Sequence, residues 1–178
     1  ANMNFHYYTI DQNSKYVFVS CFYPIKQGVM RHPINVYKER ACRLFNTFNK
    51  DIPLYIFTTD EGKIILQSSK IANGQIIPLT PNIKFITKYQ SIFDVPRIAK
   101  HKSEYKEIAE VMQNESYYTI NLEIGAIWTS KLIFLQEVVE NYSKESKLFF
   151  WIDIGAMKSD EIINRSKSLE WPSIERIE

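Results

Sequence analysis

The chain is poor in the residues that mark specialised chemistry. It holds two cysteines, three histidines and five glycines among 178 residues. Cys21 and Cys42 are too few for the disulfide framework of a small secreted scaffold or for a cysteine zinc cluster. Cys21 lies in an apolar run and Cys42 in a helical pattern, so both read as buried free thiols. His6, His32 and His101 show no metal-ligand spacing and read as surface or loop residues. The few glycines form no Gly-x-Gly-x-x-Gly, no P-loop and no Gly-x-Ser-x-Gly elbow. No apolar run is long enough to span a bilayer and no secretory leader is apparent, so a reducing, cytoplasmic setting is the expectation. A net charge of +2 is too small to call for nucleic acid.

What is present is aromatic and apolar. Eleven Tyr, eleven Phe and three Trp favour a packed core and stacking surfaces. Tyr16 to Phe22 reads as a strand that ends before Pro24. A loop over Lys26 to Pro33 follows, then a helix from Val36 to about Asn49 that Asn35 can cap. Pro53 to Thr58 is a second strand leading into Thr59, Asp60, Glu61 and Gly62. Strand, helix, strand at this spacing is a βαβ unit. Ile64 to Gln67 and Ile83 to Thr87 look like short strands, with Gly74, Pro78 and Pro81 as punctuation. Ser103 opens a polar helix to Gln113. Leu122 to about Tyr142 is the longest helical pattern, with Ile124, Ile127, Trp128, Leu132, Leu135, Val138 and Val139 as its apolar stripe. Alternating strands and helices predict a single α/β domain over residues 1–178, with a mainly parallel sheet and helices on both faces. Leu169 to Glu178 show no closing element, so a fragment of a longer protein, truncated at its C-terminus, is expected.

The sharpest chemical signal is Leu148-Phe149-Phe150-Trp151-Ile152-Asp153-Ile154-Gly155. Five apolar residues read as a strand buried on both faces, and an acid ends it. Open α/β sheets place their ligands at the carboxyl ends of strands. Gly155 would allow a sharp turn or a close ligand approach. The plain alternative is a solvated strand-end acid capping a turn. A carboxylate there can hold a hard divalent cation, which would neutralise a diphosphate. Asp160 and Glu161 lie just beyond and could add an oxygen, although solvated helix-start acids are the simpler reading. Trp128 and Lys131 share a helix face, and a lysine on an apolar stripe must reach water or an anion. Trp128 by itself reads as core. Asp60 and Glu61 follow the second strand at the same expected sheet edge, where an acid can hold a ribose hydroxyl or simply make a turn. Lys100, His101 and Lys102 read as a solvated helix start.

These motifs resemble the HtrL/YibB family (also called WlaTC/HtrL). Val17-Phe-Val-Ser-Cys-Phe-Tyr, Tyr37 on the next helix, and Pro53-Leu-Tyr-Ile-Phe-Thr-Thr-Asp are similar to its start. Ile127-Trp-Thr-Ser-Lys131 followed by Phe149-Phe-Trp-Ile-Asp-Ile-Gly155 is similar to its signature, a Trp-x-x-Lys helix before a Trp-Ile-Asp-x-Gly strand. The likeness runs in scattered blocks over about residues 15 to 158. Its members are regarded as glycosyltransferases with a GT-A-like, Rossmann-like fold. The resemblance implies a nucleotide-sugar donor, a glycan acceptor, and a divalent cation (Mn or Mg) supported by Asp153. Lys131 would orient Asp153 or the phosphates beside Trp128, and Asp60 would contact the nucleoside. The family tends to carry an arginine soon after the glycine, where this chain has Met157 and Lys158. No residue stands out as catalytic base, and the acceptor-binding half is not apparent. Two other classes remain: a non-catalytic α/β binding or scaffold module that keeps the nucleotide-binding core, and a phosphoryl-transfer hydrolase with Asp153 as nucleophile.

Overall fold

A computed structural model of the chain describes residues 14–25, 32–115, 122–141, 147–167 and 171–177. His6, and most of the loop expected over 26–33, lie outside these residues. In chain order the elements are β1 (Tyr16–Phe22), α1 (Ile34–Thr47), β2 (Leu54–Thr58), α2 (Asp60–Gln67), β3 (Ile71–Ala72), β4 (Gln75–Ile76) and β5 (Ile83–Ile86). A 3-10 turn at Ile92–Asp94 leads to α3 (Pro96–Ala99), α4 (Lys102–Glu115), α5 (Leu122–Asn141), β6 (Leu148–Trp151), α6 (Asp160–Lys167) and α7 (Ile174–Ile177).

Four of the strands make one sheet in the order β5-β2-β1-β6, and every pairing in it is parallel. Each strand of β1 and β2 is buried along its whole length, as their unbroken apolar sequences require. Their side chains alternate between two cores. Phe18, Phe22, Leu54 and Ile56 meet Ala41, Leu44 and Phe45 of α1 and Leu66 of α2. Val17, Val19, Tyr55 and Phe57 meet Ala126, Phe134 and Val138 of α5. Helices therefore cover both faces, as the sequence predicts.

The chain passes from β1 outward to β2 and β5, then returns to the other side of β1 for β6. The order of strands reverses between β1 and β6. Connections leaving that point go to opposite faces, so a crevice opens at the carboxyl ends of those two strands.

Several expectations need correction. The run ending at Trp151 is not buried on both faces. β6 is an edge strand among the described residues, Leu148 is 46% exposed and the rest are half-buried. Ile64 to Gln67 is not a strand but the end of α2, because Thr59 caps that helix by accepting from the Gly62 N–H at 2.9 Å. Three apolar residues in a row, Ile64 to Leu66, cannot separate the two periods by themselves. Asn35 does not cap α1: Pro33 holds that position, and its carbonyl takes the Val36 N–H at 3.0 Å. Ser103 lies inside α4, which starts at Lys102. Asn73 and Gly74, both at positive φ, turn a small β3–β4 hairpin where the sequence pattern shows only punctuation. The apolar stripe of α5 is rotated: Ile124, Ala126, Ser130, Phe134 and Val138 are buried, whereas Trp128, Leu132 and Val139 are exposed. Cys21 is buried, but Cys42 is only half so. Residues 171–177 pack on the core: Trp171 lies edge-on to Phe18 and Phe48, and α7 adds Ile174 and Ile177. No helix among the described residues is long and apolar enough to cross a membrane.

Phe134 ties α5 to the sheet. It is fully buried and stacks on Phe57 at 4.2 Å, with Tyr23 and Tyr89 at 5.9 and 6.2 Å. Phe134→Ala should cost about 3–5 kcal/mol of stability, read as a fall in the urea midpoint at unchanged slope. A loss below about 1 kcal/mol would mean that α5 is held elsewhere.

Candidate functional site

The crevice between the ends of β1 and β6 is a cleft of about 380 Å³. Strand β1 contributes Cys21, Phe22 and Tyr23, and α1 contributes Tyr37 and Arg40. From α5 come Ile127, Trp128 and Lys131, and the segment after β6 supplies Asp153, Gly155 and Lys158. A larger cavity of about 730 Å³ lies along α2, the hairpin and the outer side of β5. It has Lys63 and Lys84 but no acid in its lining, and it lies away from the point where the strand order reverses. The smaller cleft is therefore the better candidate.

Asp153 stands two residues past the end of β6, and a single oxygen, Oδ1, takes two donors. Lys131 Nζ donates at 2.7 Å and Trp151 Nε1 at 2.8 Å. The lysine amine also stands 5.9 Å from the centre of the Trp151 ring. The side chains of Lys131 and Asp153 are 35% and 58% exposed, so the pair sits in a wet cleft rather than in the core. Partial burial pushes the Asp153 carboxyl up. The hydrogen bonds from Lys131 and Trp151, with the charges of Lys131 and Lys158, outweigh that and hold it below its ordinary value. Its contribution to stability is thus complete above an ordinary carboxylate pKa and is lost only as pH falls through the lower folded value.

The expected contact of Lys131 with Asp153 is thereby formed. Trp128 lines the same cleft at 47% exposure, so it is a surface ring and not core. Asp60 stands elsewhere. It opens α2 beyond the end of β2, exposed, with its N–H donating to Gln90 Oε1 at 3.1 Å, and it is not among the cleft's lining residues. Asp160 does not reach Asp153 either. It pairs with Arg43 Nε at 3.2 Å, outside the cleft, and the exposed Glu161 lies in the same helical turn. His101 pairs with Glu104 on α4, and His32 lines the cleft beside the Tyr37 ring.

Arg40 was missed. It projects from α1 onto Gly155, where an added Cβ would meet its Cδ at 3.5 Å and its Nη1 at 3.7 Å. Gly155 has no left-handed backbone, so it serves neither a strained turn nor any conformation reserved for glycine. The signal was present: Arg40 stands three residues after Tyr37, on the helix that leaves the first strand at its carboxyl end. An arginine therefore does sit beside the glycine, delivered by a different element. Cys21 closes the floor as an inert thiol. Burial pushes it up to about 12, against weaker opposing effects of Ser130 and Lys131.

Among the described residues Asp153 is the only acid on the cleft wall, against Arg40, Lys131 and Lys158. Three cations and one carboxylate leave two positive charges in excess. No group of three or more His, Cys, Asp or Glu able to hold a metal occurs among the described residues. A divalent cation at Asp153 would share it with an ammonium already bonded there. Two like unit charges about 4 Å apart repel by roughly 4 kcal/mol in a partly wet protein setting. Among the described residues the wall's composition, one carboxylate against three cations, suits an anion better than a resident divalent cation.

Comparison with protein-family models, curated proteins and solved structures finds no match for this chain. The fold and the cleft define a coarse class: a parallel α/β protein with a cationic, aromatic crevice where its strand order reverses.

Carbon-13 titration of the Asp153 carboxyl checks the electrostatics. Its midpoint should fall below the ordinary 3.8 and move upward in Lys131→Met, where burial remains and the ammonium is gone. A midpoint unaltered by Lys131→Met would show that the contact is not formed in solution.

Proposed function

We infer that this protein binds a nucleotide sugar in the β1–β6 crevice and transfers its sugar to a glycan acceptor. The observation that carries the reading is one cleft, at the ligand-binding end of a parallel sheet, combining the Lys131–Asp153 pair with exposed Trp128. The sequence resemblance to the HtrL/YibB family and its GT-A-like fold supports it. Trp128 offers a ring on which a base can stack, and the cations take the diphosphate. In the transfer, the bond from the anomeric carbon to the phosphate oxygen breaks, and its electron pair leaves with the diphosphate. The acceptor oxygen bonds to the carbon and its proton passes to water. Cations fixed at the diphosphate stabilise the charge that grows on it. No residue is assigned as the base. For Asp60 to touch the nucleoside, the ligand would have to extend across the end of β1, since β2 lies beyond it. The wall favours the rival binding module in one respect. Its sole described acid is engaged by Lys131, so retention of a nucleotide needs no proton transfer.

Calorimetric titration with a panel of nucleoside diphosphates and nucleotide sugars tests the reading. At least one member should bind more tightly than its parent nucleoside. Trp128→Ala should weaken that binding about tenfold, near 1.4 kcal/mol, within the range of base–aromatic stacking. A panel without binding, or binding indifferent to Trp128, would contradict the reading.

A further inference from the structure

We propose that the cleft holds a diphosphate by a clamp of three side-chain cations, Arg40, Lys131 and Lys158, with no divalent cation between protein and phosphate. This rests on the nucleotide-sugar reading and says how its diphosphate is neutralised.

The three cations come from three elements: Arg40 from α1, Lys131 from α5 and Lys158 from the segment after β6. They converge because those elements meet where the strand order reverses. Among the described residues neither Arg40 nor Lys158 forms a salt bridge, although the charge of Lys158 is felt at Asp153. Arg40 brings a planar fork suited to two phosphate oxygens, and the lysines bring point charges. Of the three, Lys131 is held by a direct contact, to Asp153 at 2.7 Å. That contact fixes the direction of a flexible side chain before any ligand arrives. Asp153 is thus a positioning residue, and the excess positive charge of the wall is what an incoming diphosphate meets.

The two arrangements differ in the sign of one mutational effect. If Asp153 holds a cation on the phosphate, Asp153→Asn weakens anion binding. If Asp153 only restrains Lys131 and offsets the wall's charge, Asp153→Asn keeps an oxygen that can accept from the lysine and removes a charge that repels phosphate, so binding stays intact or strengthens.

The probe is inorganic pyrophosphate, titrated calorimetrically in EDTA and again in Mg²⁺ or Mn²⁺. In EDTA it should bind, with affinity falling steeply as salt rises. Arg40→Ala and Lys158→Ala should each weaken it about tenfold, and Arg40→Lys should recover part of the loss. Asp153→Asn should bind at least as tightly as the parent chain. Lys158 is exposed, so its variant tests the clamp even where an Arg40 variant fails to fold. Pyrophosphate binding that needs the divalent cation, an absence of binding in every buffer, or a Lys158→Ala variant that binds unchanged, would overturn the clamp. Metal-free pyrophosphate binding, with no nucleoside diphosphate binding more tightly than pyrophosphate, would uphold the clamp and defeat the nucleotide-sugar reading.

Discussion

The pairing of β1 on both of its edges is the constraint from which the rest follows. Its backbone is bonded in parallel to β2 on one side and to β6 on the other. Parallel neighbours require crossover connections, and these carry the helices that bury the two faces. Because β6 joins on the side opposite β2, α1 and α5 lie on different faces and diverge at the carboxyl end of β1. The gap they leave is the cleft. Residues from 21 to 158 in the chain thus meet around one opening without any of them having to be near in sequence.

Charge in that opening is arranged rather than merely accumulated. Lys131 and Asp153 bind each other across two elements, and Trp151 donates to the same oxygen as the lysine. Exposed ion pairs contribute little to stability, so this one is better understood as orientation than as glue. It keeps the ammonium near the mouth of the cleft while Arg40 lies against Gly155. The aromatic rings of Trp128 and Tyr37 complete a wall that is part cationic and part stacking surface.

Much of this was legible in the sequence because burial on both faces writes itself as an unbroken apolar run. Val17 to Phe22 and Leu54 to Phe57 are such runs and form the centre of the sheet. The same signal overstated β6, since an edge strand under partial cover can be as apolar as a central one. Asp153 and Lys131 stood out because each interrupts an apolar pattern, and they meet. Arg40 did not, because an arginine on an amphipathic helix is unremarkable until the fold sets that turn beside Gly155. Asp60 falls outside the cleft for a related reason. Its strand end lies on the correct edge of the sheet, but one strand away from the cleft, and strand order is not written in any single segment. The rotation of the α5 stripe arose because this helix is apolar nearly all round, so Leu132 and Phe134 look equally suited to the core.

The three tryptophans supply a direct test, because they divide between regions. Trp128 and Trp151 line the cleft, while Trp171 packs on the α1 face against Phe18 and Phe48. Proton–nitrogen spectra of the indole N–H groups, recorded while a nucleoside diphosphate is added in EDTA, should show the Trp128 and Trp151 signals moving and the Trp171 signal still. The Gly155 amide should move with the first two. Movement of Trp171 alone, or no movement of the two cleft indoles at saturating ligand, would contradict a nucleotide site at the junction of β1 and β6.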